Sequence, residues 1–365
     1  MKKSSKCVDV DTHVIEPSSV WNYLSSSDQE FLPSIMQKQS GASVSANFAS
    51  KNTQEFWVID NQLYGKHNAE LIAQYSNGEV TAGAITLDDV AARLKTMDNQ
   101  SVDVQVIFSS LFLNIRCHRA NAELALTRAY NRWIAERCSD SNNRLRWVFV
   151  PSLKNPQETI KDMRAAKNQG AVGVLFRGLE GDKYLDHADF DPVYRQAMEL
   201  DLPICVHIGH GSPAFESIEG RSGAGFNRFI SDCPNYLAYS VLLNSQLPSK
   251  FPDLRFGFFE AGCSWLAAAT QTALHLRLSP ADLKQRVSEK LEEHNFFITC
   301  ELHEDLPYVL GFTGEDRLMA GSDYGHPGDI ADTIMYRDKL TERGDLSEEL
   351  QEKLLSTNPL RLFVL

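Results

Sequence analysis

Asp11 and His13 close the apolar run CVDVDTHV, and their spacing of two puts both side chains on one face of an extended strand. Further runs end in the same kind of residue. His207 ends PICVHIG, with His210 following in HIGHG. Glu260 ends LRFGFFEAG, Glu301 ends FFITCE, and Asp323 ends RLMAGSD, with His326 three residues later. A lone strand histidine is more often a hydrogen-bonded core residue than a ligand. Carboxylates differ, because desolvating an unpaired one costs several kcal/mol. With Asp11, His13, His207, Glu260, Glu301 and Asp323 gathered at one mouth, the carboxylates would repel each other unless cations lay between them. One divalent ion resolves this and two resolve it better. A carboxylate-rich set without an obvious thiolate favours Fe or Mn, and Zn remains compatible.

Such a centre would lower the pKa of a bound water to near 7. Asp11, His13, His207 and Asp323 form the expected metal core, and Glu260 and Glu301 bind or bridge a second ion. Asp323, His210 or Glu260 moves the proton. Arg177, at the end of AVGVLFRG, has two readings of equal weight. It offers a bidentate fork to a substrate carboxylate, or it pairs with an acid at the rim. His326 is a ligand, a substrate-facing acid or a solvated loop histidine. His118, His187, His275 and His294 fall in helical or loop contexts away from any strand end.

The elements that must position these residues are legible as alternation. Eight short runs rich in Val, Ile and Phe begin near Cys7, Val102, Arg146, Ala171, Pro203, Leu254, Phe296 and Arg317. That is the pattern of buried parallel strands. Helical patterns separate them: one after a capping box at Thr86 and Asp89, then Pro156 to Asn168, and Asp191 to Leu200. Others fit Ser264–Leu278, Ala281–His294, Asp329–Thr341 and Leu346–Leu355. Eight such units predict one (β/α)8 TIM-type barrel over 1–365, with an active site at the C-terminal strand ends. The stretch 21–83 lacks the repeat and reads as an insertion after strand one, over the rim, shaping substrate access or an oligomer contact. Within it, FWVI, Asp60-Asn61 and QLY read as a hairpin.

Composition narrows the function classes. The 36 basic and 48 acidic residues leave a net charge of −12, which disfavours nucleic acid and anionic membranes as partners. No run approaches the roughly 20 apolar residues of a membrane span, and MKKSSKC is not followed by a signal-peptide core. Seven widely spaced cysteines without a CxxC pair argue against a disulfide framework or zinc ribbon. A reducing cytoplasm is the expected compartment. The expected partner is a small molecule, and a homo-oligomer is compatible.

VDVDTHVIEP, PICVHIGHG, FPDLRFGFFEAGCSWL and LMAGSDYGHP resemble the amidohydrolase-related family, in its aminocarboxymuconate-semialdehyde-decarboxylase-like branch. AYNRWIAERC, RLRWVFVPSL and STNPLRLF fit the same family, in the same order. The resemblance implies a distorted (β/α)8 barrel with a divalent metal, and maps its ligands onto Asp11, His13, His207 and Asp323. Two positions depart from it: Asp11 stands where many members have His or Glu, and Glu260 where His is frequent. The extra carboxylates are similar to members with two metals. The leading expectation is a metal-dependent hydrolase acting on a small carboxylate- or acyl-bearing substrate through metal-activated water. The alternatives are a dinuclear Mn/Fe or di-iron O2-activating oxygenase and a non-oxidative metal-dependent decarboxylase. A catalytically dead barrel is disfavoured by the intact ligand set.

Overall fold

The computed structural model describes residues 6–40, 44, 53–76, 79–213, 224–275, 279–326 and 336–365. The first run forms β1 (Val8–Val14). A small antiparallel sheet follows, of β2 (Ser34–Gln37), β3 (Glu55–Ile59) and β4 (Gln62–Gly65). The remaining runs form β5 (Val104–Ser109), β6 (Leu145–Phe149), β7 (Ala171–Arg177), β8 (Ile204–His207), β9 (Phe256–Phe259), β10 (Phe296–Cys300) and β11 (Leu318–Ala320). The large sheet runs β1-β5-β6-β7-β8-β9-β10-β11, and each ladder in it is parallel. Helices lie between the strands, so the chain forms the expected TIM-type barrel, nearly closed. No described helix is long and apolar enough to cross a membrane.

Closure is least regular where the first and last strands meet. A single bridge, Thr12 to Tyr324, joins them in place of a ladder. β1 also carries an irregularity between Asp9 and Thr12. Gly321 allows the close approach: a Cβ there would stand 2.4 Å from that of Asp11.

The helix Pro156–Asn168 has the expected ends, with Pro at its start and Gly170 left-handed beyond it. Others shift by a few residues, to Leu266–Ala273, Pro280–Glu293 and Glu348–Glu352. The helix expected over Asp329–Thr341 is described only as Tyr336–Thr341; residues 327–335 lie outside the described set. The capping box at Thr86 does not form. Thr86 ends a short helix, Leu87 turns left-handed, and Asp89 caps Val90–Asn99 by accepting from the Ala92 amide. A carboxylate one residue before the helix outcompetes a distant threonine.

In the 21–83 stretch the hairpin forms as read. Asp60 and Asn61 both have positive φ, 47° and 63°, the geometry of a two-residue primed turn. The Asp60 carboxylate accepts from the amides of His118 and Arg119, and the Tyr64 hydroxyl accepts from the Arg116 amide. The hairpin is thereby fastened to the chain that leaves the C-terminal end of β5.

Candidate metal centre at the barrel mouth

Six side chains meet where the strands open. β1 brings Asp11 and His13, β8 brings His207, the residue after β9 is Glu260, and the loop after β11 brings Asp323 and His326. His13 Nε2 lies 3.3 Å from Asp11 Oδ1, 3.4 Å from Asp323 Oδ1 and 3.8 Å from Glu260 Oε2. His207 Nε2 lies 3.3 Å from Asp11 Oδ1 and 3.5 Å from Glu260 Oε2. Donors that share one ion at roughly 2.0–2.2 Å stand roughly 3.0–3.5 Å apart, so the spacing fits a metal. The buried His13 Nε2 makes no hydrogen bond among the described residues, although three carboxylates surround it. A nitrogen so placed has the chemistry to serve as a donor to an ion. The donors fall into two overlapping groups, Asp11–His13–His207 and His13–Glu260–Asp323–His326.

Local structure aims these groups. Phe108 packs against His207 and Phe259, with ring centroids 4.8 and 4.9 Å apart, and makes an apolar floor. His207 Nδ1 lies 2.9 Å from its neighbour's carbonyl, Ile208 O, and donates there, which leaves Nε2 for the cluster. Glu260 and Asp323 both adopt positive φ, 62° and 54°. A non-glycine residue pays about 1–2 kcal/mol for this, and two such residues at one mouth mark a place where side-chain direction outweighs backbone comfort. The Glu260 amide donates to Thr299 Oγ1, and the Asp323 amide donates to the Asp11 carbonyl.

The metal-free electrostatics are divided. Burial drives His13 down to about 4, with the His326 charge acting in the same direction. Burial would also strip His326 of its proton, but Asp323 at 2.8 Å and then Glu260 override it and lift His326 to about 9. Burial opposes ionisation of Asp11 and Asp323 too. His207 with His13 at Asp11, and His326 with His13 at Asp323, together outweigh it, so both carboxyls are lowered. One histidine of the cluster is thus held neutral, and another is held as a cation beside a carboxylate.

Three expected participants fall outside both donor groups. The Arg177 guanidinium forks onto Glu180, with Nη2 to Oε2 at 2.5 Å, and donates to the Ile115 carbonyl at 2.7 Å. Of its two readings, the contact among the described residues is the one with an acid. Glu301 belongs to neither donor group; its amide donates to the carboxylate of Glu304, which also accepts from the Cys263 and Ser264 amides. His210 is likewise outside both groups. Its amide donates to the Leu113 carbonyl, and its Nε2 is 3.4 Å from Ser231 Oγ.

Two residues not singled out in the sequence stand at the cluster. Ser110 Oγ is 2.9 Å from His326 Nε2. It follows the polar end of the second run, so the strand-end argument could have found it. His67 packs 6.0 Å from the His326 ring, and burial lowers it to about 3. It comes from the irregular 21–83 stretch, where no periodicity pointed to it. His326 also stacks on His13 at 3.6 Å. Beside His326 is a narrow, partly open pocket lined in part by Glu16, Trp57, Tyr64, His67, Ser110 and Asn114.

A family profile described as amidohydrolase matches residues 8–365. No curated protein sequence matches the chain. Among solved structures, an amidohydrolase from Mycobacterium avium subsp. paratuberculosis superposes with a TM-score of 0.73 at 17% identity, covering 99% of this chain and 100% of that one. The 2,6-dihydroxybenzoate decarboxylase from Rhizobium has a TM-score of 0.62 at 16% identity, covering 99% of each chain. The 5-carboxyvanillate decarboxylase from Novosphingobium aromaticivorans, in complex with manganese, has a TM-score of 0.62 at 18% identity, covering 100% of this chain and 97% of that one. Identities this low show the shared fold alone.

Proposed function

Because this chain belongs to the amidohydrolase family, whose profile spans residues 8–365, we propose that it is a metal-dependent, non-oxidative decarboxylase of an aromatic or unsaturated carboxylic acid. Asp11, His13, His207 and Asp323 would hold one divalent ion, with Mn favoured by a mixed carboxylate and imidazole set without thiolate and by the manganese in one structural relative. When bound, the ion would supply Lewis acidity toward a substrate carboxylate. Zn and Fe have the same donors available.

The observation that carries this reading is the Asp323–His326 contact of 2.8 Å, standing beside Asp11, His13 and His207. Decarboxylation breaks a carbon–carbon bond, leaves its electron pair on the substrate carbon and releases CO2. That carbon then takes up one proton. A carboxylate–imidazole pair facing the mouth is suited to deliver it, and solvent restores it afterwards. Ser110 holds the far ring nitrogen and His13 the ring face, so His326 keeps its orientation. Trp57 and Tyr64, each 2% exposed or less, line the neighbouring pocket. The fold shared with two decarboxylases supports the same reading over hydrolysis.

Glu260 favours a second reading. A third carboxylate at the cluster suits a second ion, and with it hydrolysis or O2 activation on this scaffold. One experiment separates the three. Mn-loaded protein is incubated in D2O, without O2, with a panel of hydroxylated benzoates. The expected outcome is CO2 release with one deuterium at the vacated ring carbon. Turnover that requires O2, or cleavage of esters or lactones without any CO2 release, overturns the proposal.

A further inference from the structure

We propose that Arg93 is a positioning residue for the metal centre, closing the seam between β1 and β11 and fixing the backbone from which His13 and Asp323 project. The inference rests on the metal reading above, because it concerns the residues assigned as ligands.

The seam needs such a device. His13 and Asp323 face each other across the one part of the barrel joined by a single bridge. Two backbone hydrogen bonds accompany it, from the His13 amide to the Tyr324 carbonyl at 2.6 Å and from the Asp323 amide to the Asp11 carbonyl at 2.9 Å. A short contact of this kind tolerates displacements that a full ladder would resist. Metal ligands tolerate little, since a few tenths of an ångström separate a good donor set from a poor one.

Arg93 lies on the helix Val90–Asn99 and is fully buried. Its Nη1 donates to the His13 carbonyl at 3.2 Å and to the Ala84 carbonyl at 3.4 Å. Its Nε donates to Gln105 Oε1, on the neighbouring strand β5, at 2.6 Å. The guanidinium carbon stands 3.7 Å over the Tyr324 ring. One planar group therefore touches the residue that carries the β1 ligand, the strand beside it, and the residue next to the β11 ligand. No carboxylate lies within ion-pairing distance of it among the described residues. An arginine buried without an ion pair is costly, and packing alone would be met more cheaply by Leu or Met. What only the guanidinium supplies here is the fork and the flat cationic face.

The seam is held from the other side as well. The Asp9 carboxylate accepts from the Ser322 amide at 3.0 Å and from its hydroxyl at 2.6 Å, and Ser322 Oγ accepts from the Tyr324 amide at 3.1 Å. Asp9 fastens the loop before Asp323, and Arg93 fastens the residue after it.

A residue that merely stabilises the fold would lower the melting temperature without changing metal affinity at temperatures well below the transition. Titration of apo-protein with Mn2+, reading free Mn2+ by EPR, separates the two roles. Arg93→Met is expected to weaken Mn2+ binding roughly 10- to 100-fold. Arg93→Lys keeps the charge, loses the fork, and is expected to weaken binding in the same direction; it carries the test if Arg93→Met does not fold. Leu291→Ala, a buried truncation on the outer helix Pro280–Glu293, serves as the control. It lowers the melting temperature and leaves Mn2+ affinity as in the wild type. Arg93 variants that melt earlier yet bind Mn2+ within twofold of the wild type would overturn the positioning role and leave the metal reading intact. A wild type that binds no Mn2+ overturns both.

Discussion

The ends of β1, β8, β9 and β11 behave differently from those of β7 and β10, although each of the six has a charged or imidazole side chain at its end or within three residues of it. In the first set the terminal side chains converge on one point. In the second, the loop itself captures the strand end. The Arg177 amide donates to the Glu180 carboxylate, and the Glu301 amide donates to that of Glu304. Each captor sits three residues on, in RGLE and ELHE. At β7 and β10 the acid three residues on takes up the strand-end amide, whereas at Asp323 the residue three on, His326, joins the cluster with it. The strand pattern alone cannot tell these cases apart, because it describes where a side chain starts and not what the following loop supplies.

The largest effect expected from this comparison is on the convergent set. His13→Ala or Asp323→Asn should remove the metal and reduce turnover by about three orders of magnitude or more. Glu301→Gln should keep the wild-type metal content. Metal analysis of the purified variants checks both. Metal lost from Glu301→Gln in a folded protein would return Glu301 to the ligand set and break the comparison.

Glu260 tests how many ions the convergent set holds. With one ion held by Asp11, His13, His207 and Asp323, Glu260→Gln keeps about one metal per chain. A wild type with two ions, falling toward one in this variant, would favour the second reading.

Much of the fold was legible in advance, because buried parallel strands are short, apolar and bounded by helix starts that carry their own capping chemistry. Asp60-Asn61 announced its turn for the same local reason. The site was legible where it followed strand ends, as at Asp11, His207 and Asp323. It was not legible at His67, which reaches His326 from a stretch without periodicity. Nor was it at Arg93, which in sequence is one more cation on an amphipathic helix. Its role depends on which strands happen to be first and last.

The captured set should answer in stability and not in chemistry. Arg177→Met leaves the Glu180 carboxylate buried without its fork, an expected loss of roughly 4 kcal/mol. Thermal unfolding measures it, and metal content should not change. If Arg177→Met instead raised KM for a carboxylate substrate without moving the melting temperature, Arg177 would belong with the substrate.

The smallest expected effect concerns Glu16, which tests the limit of loop capture. It stands three residues after His13, as Glu180 does after Arg177, yet the described contacts send its carboxylate to the Ser109 hydroxyl and the Leu111 amide. Position alone therefore does not make a captor; the loop must also turn back. Glu16 is buried, and burial, only partly offset by those donors, raises its pKa from 4.5 to about 7. The charged groups facing it are His326, which lowers this value, and the Tyr130 phenol, should it ionise. For an acid whose folded pKa is raised, the favourable contribution is complete below the unfolded value of 4.5 and is lost as pH rises through 7. Between about pH 5 and pH 8 the wild type should lose about 2 kcal/mol through this group. Glu16→Gln cannot ionise, so its melting temperature relative to the wild type should rise across that window. A difference between the two proteins that stays flat from pH 5 to pH 8 would mean that the carboxylate is already ionised in the fold, held by Ser109 and Leu111 as firmly as Glu180 is held by Arg177.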